Sequence, residues 1–150
     1  MDQDAFRRTY REMNERHCAF EKSLMARHCD CSQAKKICIA EREGVHCLSD
    51  EAQQQCLELL DTLRLQARFA LKSNNDNEVL PHGKAMRLQV GGLRGLFSAL
   101  HPDQSIPVAI EDVFELINQA KETYQRLDNF PYQTLIQQVS AYKGRQRSIK

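Results

Sequence analysis

No apolar run in this chain approaches the roughly 20 residues that a helix needs to cross a bilayer, and its longest greasy stretches are interrupted by Arg, Gln or Glu. A helical membrane span is therefore not expected. An excess of either charge is also missing. The 21 Lys and Arg nearly cancel the 20 Asp and Glu, so the strong positive field of a protein held mainly by nucleic-acid phosphates is absent. The opening Met1-Asp2-Gln3-Asp4-Ala5-Phe6-Arg7-Arg8 puts acids where a secretory signal needs basic residues, and no apolar core follows. The expected compartment is the reducing cytoplasm. Catalytic signatures are lacking too: the chain has no nucleophile elbow and no His-Glu-x-x-His. Gly91-Gly92-Leu93-Arg94-Gly95 does not end in the Lys-Ser/Thr of a phosphate loop. No catalytic residue is assigned.

Cysteine is absent from the whole of residues 57–150, because all six, Cys18, Cys29, Cys31, Cys38, Cys47 and Cys56, lie before that point. Such clustering asks for a local cause. In a reducing compartment structural disulfides are rare, so thiolates binding a metal become the better account. The plainer alternative is that the cysteines pack as small buried hydrophobes.

Length and an apolar content of 41% over 150 residues suit one ordinary core and one domain. Phe6, Tyr10, Met13, His17, Phe20 and Leu24 recur at steps of three and four, predicting a helix from about Asp4 to about Ala26. Between His28 and Leu48 the periodicity fades, and the segment reads as a metal-organised loop with short helical turns. Ser49 or Asp50 can cap the next helix, with Asp50 and Gln53 in capping-box positions. The apolar stripe of that helix is Ala52, Cys56, Leu59, Leu60, Leu63, Ala67 and Ala70 or Leu71. The polar stretch Lys72–Glu78 is a linker. Pro81 then suits the first turn of a third helix ending before His101-Pro102, whose Gly91, Gly92 and Gly95 point to close helix contact or a kink. A fourth helix is expected from Val108 or Ala109 to about Leu127, and a fifth after Asn129-Phe130-Pro131. The predicted fold is thus all-α, a single domain over 1–150. Residues 1–48 form a helix plus a Cys-rich metal-binding segment, and 49–150 complete a bundle of about five helices.

Spacing restricts which cysteines can share a metal. On one unbroken helix Cys18 and Cys29 would stand about 16 Å apart at ~1.5 Å per residue, whereas zinc–sulfur bonds of about 2.3 Å demand sulfurs within roughly 4 Å of each other. Either the first helix ends early and the chain folds back, or Cys18 lies outside the site. The compact set is Cys29-x-Cys31-x6-Cys38-x8-Cys47, and these four are the principal candidate ligands. Cys18 and Cys56 are the additional candidates. His17, His28 and His46 each precede a cysteine. Neighbouring side chains diverge on helix and strand alike, so the imidazoles are expected to support a thiolate site by hydrogen bonding rather than ligate it.

Structural zinc sites draw ligands in Cys-x2-4-Cys pairs, and here the closest pair is Cys29-Asp30-Cys31 with no Cys-x-x-Cys anywhere. The bacterial ferredoxin run is missing as well. All-cysteine supply, irregular spacing and spare thiols place an iron–sulfur cluster first and zinc second. Arg27, Lys35, Lys36 and Arg42 are expected to offset the thiolate charge. Two functions compete. One is a small iron–sulfur protein serving electron transfer, redox sensing or an accessory role to a larger protein partner. The other is a zinc-stabilised interaction or regulatory module contacting protein or nucleic acid. The tail Lys143–Lys150 has four cations and no acid, so it offers a contact for a phosphate backbone or an acidic partner, against the plainer reading of a solvated terminus.

Overall fold

A computed structural model describes Tyr10 and residues 14–39, 41–72 and 79–143 of the chain. Within them the order of elements is α1 (Glu21–Met25), β1 (Ala34–Ile39), β2 (Arg42–Cys47), α2 (Asp50–Gln66), α3 (Arg68–Leu71), α4 (His82–Leu100), α5 (Val113–Tyr124), a 3-10 turn (Leu127–Asn129) and α6 (Tyr132–Ala141). The expected all-α bundle is corrected by this arrangement: six helices accompany a two-stranded antiparallel sheet. The sheet occupies the segment expected to be a metal-organised loop.

The hairpin follows from β-favouring residues at Ile37, Ile39 and Val45 and from a tight turn. Ile39 pairs with Arg42, leaving two connecting residues, and Glu41 adopts φ 69, a left-handed value that two-residue hairpin turns use. Lys35, Lys36, Arg42 and Glu43 are exposed, while Ile39, Gly44, Val45 and Cys47 are buried. Gly44 lets the Tyr10 ring lie against the strand, because a Cβ there would stand 2.5 Å from it and the ring would have to move.

The first predicted helix does not run unbroken to Ala26. Its residues 4–9 and 11–13 lie outside the described part, and the stretch after Asn14 leaves the helix to run beside the open edge of β2. Cys18 N–H donates to Val45 O at 2.9 Å, and Cys47 N–H donates to Arg16 O at 2.6 Å. His17 forms a bridge with His46. The unpaired backbone of an edge strand is a strong hydrogen-bonding template, and here it outweighs helical periodicity. Helix resumes only over α1.

Ser49 caps α2, its side chain accepting from Ala52 N–H. Gln53 does not close a capping box; its amide instead donates to the carbonyls of Glu15 and His17 at 3.1 and 3.0 Å, tying α2 to the chain entering Cys18. At the far end Lys72 closes α3 in the left-handed conformation, and the linker beyond it, residues 73–78, lies outside the described part. So do residues 144–150 of the basic tail.

Helix α4 is the axis of the core. Ten of its residues, from Ala85 to Leu96, are buried, and the buried Gln89 is satisfied by accepting from Ser23 N–H and Ser23 Oγ at 3.2 and 2.9 Å. Helix α6 crosses α4 where the glycines stand. A Cβ on Gly91 would lie 2.5 Å from Val139 Cα, and one on Gly95 would lie 2.5 Å from Leu135 Cα. The glycines thus permit backbone-to-backbone approach. Helix α5 begins at Val113 rather than at Val108 or Ala109, since Asp112 caps it by accepting from Phe114 N–H at 3.1 Å, and Ile110 is drawn into a parallel bridge with Cys29.

The crossing makes a direct prediction. Gly95→Ala gains about 1 kcal/mol of helix propensity, yet it drives a methyl into backbone, and overpacking of this kind costs about 1–3 kcal/mol. Net destabilisation is expected in urea unfolding. Gly83→Ala, in the first turn of the same helix with nothing within 4 Å of its new Cβ, is expected to leave stability unchanged or raise it. A Gly95→Ala protein as stable as the parent would contradict the close crossing.

Candidate metal centre

Four separate pieces of chain bring cysteines to one cavity. The first is the β2-edge segment carrying Cys18, which turns into α1. That helix ends at Met25, and Arg27 takes φ 65, a left-handed residue that reverses the chain. The reversed segment is the second piece, and it docks on the entry to α5. Ile110 N–H donates to His28 O at 3.0 Å, Asp30 N–H to Ile110 O at 2.9 Å, and Val113 N–H to Asp30 O at 2.9 Å. Asp112 Oδ1 also accepts from Ser32 N–H at 2.9 Å. Cys31 is therefore fixed at the N-terminus of α5. Cys47 comes from the end of β2, opposite Ala34, and Cys56 from the second turn of α2.

Cys18, Cys31, Cys47 and Cys56 line this cavity together with apolar groups that include Phe20, Leu24, Val113, Phe114 and Ile117. Gln33, Gln53 and Gln55 complete the lining, which among the described residues holds no carboxylate, imidazole or cation. The cavity volume is about 20 Å³, room for about one water molecule. The cavity is narrow. The sulfurs surround it without closing on one point: among the described residues, no three or more His, Cys, Asp or Glu side chains are arranged to hold a single metal ion.

Burial dominates the electrostatics. It pushes the Cys18 and Cys29 thiols up from 9.0 to about 12, and it raises those of Cys31 and Cys56 as well. The thiols also oppose one another's ionisation. Cys56 feels the charges of Cys18, Cys31, Cys47 and Cys29, while Cys29 feels those of Cys18 and Cys31. Backbone N–H groups act in the opposite direction: Phe20 N–H favours a thiolate at Cys18, and Gln33 and Phe114 N–H favour one at Cys31. Cys47 Sγ donates to Ser49 O at 3.1 Å. Burial thus favours the neutral thiol at Cys18, Cys31 and Cys56, and the first two already face donors suited to their anions.

Of the principal candidates, the structure brings Cys31 and Cys47 to the cavity. It places Cys29 beside it, 5% exposed in the hydrophobic core, and puts Cys38 elsewhere, exposed on β1 opposite Glu43. Both additional candidates, Cys18 and Cys56, line it. Cys18 arrives by pairing along the edge of β2, a long-range contact for which the sequence carries no local signal. None of the three paired histidines reaches the lining: His46 Nδ1 meets Asn14 Oδ1 at 2.9 Å, His17 bridges β2 through its backbone, and His28 Nε2 meets the Tyr142 hydroxyl at 3.3 Å. Arg27, Lys35, Lys36 and Arg42 do not line it either.

No protein-family model matches this chain, and comparison with curated proteins and with solved structures found no match.

Two measurements on the metal-free protein check this placement. With a thiol-alkylating reagent near neutral pH, Cys38 is expected to react at the rate of an open thiol and Cys18, Cys29 and Cys56 far more slowly. Equal rates at all sites would contradict the burial. Stability should also depend on pH in the alkaline range. A thiol whose pKa is raised on folding contributes stability that is complete below its unfolded value and lost as pH rises through its folded one. The unfolding free energy is therefore expected to fall from about pH 9 towards pH 12, the span between the ordinary and shifted values of Cys18 and Cys29. Tyr10 and Tyr132, raised from 10.0 to about 12 chiefly by burial, join above pH 10. A flat profile between pH 9 and 10 would contradict the thiol assignment.

Proposed function

We propose that this protein holds an iron–sulfur cluster on Cys18, Cys31, Cys47 and Cys56 and uses it for electron transfer or redox sensing in the reducing cytoplasm, in association with a larger protein partner. The observation that carries this reading is a cavity where four cysteines from four chain segments meet and no oxygen or nitrogen ligand of the usual kinds is present. Thiolate-only sites select soft centres, namely iron–sulfur clusters, zinc and copper(I). A single zinc ion needs its four sulfurs within roughly 4 Å of one another. The lack of any Cys-x2-4-Cys pair among the four lining cysteines also speaks against an ordinary zinc knuckle.

The surroundings suit a redox centre. Hydrogen bonds to ligand sulfur and the dryness of the site are the protein's levers on cluster potential. The Phe20, Gln33 and Phe114 N–H groups supply the first, and Val113, Phe114 and Ile117 supply the second. Cys29 remains as a fifth thiol within electrostatic reach of Cys18 and Cys31. Zinc is the second reading, favoured by the narrowness of the cavity.

Anaerobic purification or reconstitution with iron and sulfide is the test. A brown protein with absorption near ~400 nm that bleaches on reduction is expected, as for thiolate-bound clusters. Cys18→Ser and Cys56→Ser are each expected to lose most of the bound iron, and Cys38→Ser to retain it. Full occupancy in both of the first two variants would overturn the ligand set. A colourless protein retaining stoichiometric zinc would overturn the cluster in favour of the second reading. Because each ligating thiol must shed its proton, and burial holds those protons tightly, occupancy should fall as pH is lowered.

A further inference from the structure

A second concavity, separate from the thiol cavity, lies where the start of α4 meets the end of α6 and the residues after α1. It is a groove of about 1010 Å³, and Lys84, Arg87, Lys143, His28, His82 and Tyr142 contribute to its wall. Among the described residues, no carboxylate lines it. In a chain of almost balanced charge, three permanent cations and two imidazoles gathered without an acid form a segregated positive patch. The described contacts of these cations are to neutral atoms. Lys84 Nζ donates to Lys72 O at 3.1 Å, and Arg87 Nε donates to Val139 O at 3.3 Å. The second bond anchors the guanidinium through one nitrogen and leaves its two terminal nitrogens for other acceptors. Tyr142 is likewise held in place, meeting His28 Nε2 through its hydroxyl and packing edge-on against the imidazole at 5.9 Å.

Several cations held close together repel one another, and an anion relieves that repulsion while accepting their hydrogen bonds. Helix α4 adds to the field. Its first internal bond is Ala85 N–H to Pro81 O, no side chain caps it, and its positive end opens on the same groove. The volume is that of a small-molecule site, and a planar guanidinium beside lysines matches the oxygens of phosphate better than those of a single carboxylate. We propose that this groove binds the phosphate groups of a small phosphorylated ligand, with Arg87 as the forked contact and Lys84 and Lys143 as its flanking charges. The site stands independently of the metal centre.

Isothermal titration with inorganic pyrophosphate at low salt tests it on the full chain. Saturable one-to-one binding that weakens as salt is added is expected. Arg87→Gln and Lys143→Gln should each reduce affinity by about tenfold, as for loss of one charge-assisted bond. Lys143 is exposed, so its variant keeps the test sound if Arg87→Gln fails to fold. Lys35→Gln, on the exposed face of the hairpin, should bind as the parent does. Absence of saturable binding, or equal affinity in the parent and Lys143→Gln, would overturn the site. So would a short single-stranded oligonucleotide binding far more tightly than pyrophosphate, which would assign the patch to a polymer backbone instead.

Discussion

Reduced thiols placed side by side in a cavity walled mostly by apolar groups can keep charge out of it by staying protonated or by sharing a cation. Desolvation makes the first state the default here, since each lone thiolate would lack both water and a counter-charge. The second state becomes favourable once a soft metal centre supplies the positive charge for all of them together. On the proposed reading the thiol cavity meets this condition. Cys18, Cys31, Cys47 and Cys56 face inward, the wall between them is apolar, and the donors that reach the sulfurs are backbone N–H groups rather than mobile side chains.

The scaffold that enforces this closeness is built from backbone pairing more than from side-chain packing. The chain before α1 runs along the edge of β2, which brings Cys18 towards Cys47. The reversal at Arg27 and the docking of His28–Asp30 on Ile110 bring Cys31 to the start of α5. Gln53 ties the first turn of α2 to Glu15 and His17, which holds Cys56 in range. Behind all of these stands α4, buried almost all round, with α6 seated on its glycines. A small hairpin of six-residue strands would be marginal alone; pinned between the N-terminal segment and this helical core, it becomes one wall of the site.

The molecule also segregates its charge. Among the described residues, its thiol cavity contains no formally charged residue, whereas the groove at the start of α4 is lined by cations without acids. On the proposed readings the two places carry different chemistry, a soft metal centre in one and a phosphate in the other. Helix α4 and the segment following α1 are shared structural neighbours of both: Cys29 and His28 are consecutive, one directed to the core beside the thiols and the other to the groove.

Helix positions were largely legible in the residues. The stripe of α2, the start of α4 at Pro81, its end before His101 and the break at Pro131 all follow from periodicity and caps, because a helix satisfies its own backbone and its signals are local. The concentration of cysteines before residue 57 was equally plain. Membership of the cavity was not. Cys38 falls in the compact run yet is exposed on β1, while Cys18 and Cys56 fall outside that run and line the cavity. A strand edge, a single left-handed residue at Arg27 and a bridge between Cys29 and Ile110 decide who meets whom. These are contacts between residues far apart in the chain, and local pattern carries no record of them. The amino-acid order by itself determined which elements form and which donors are available; only the tertiary structure decided which sulfurs share a space, since that depends on how unpaired backbone in one segment finds its partner in another.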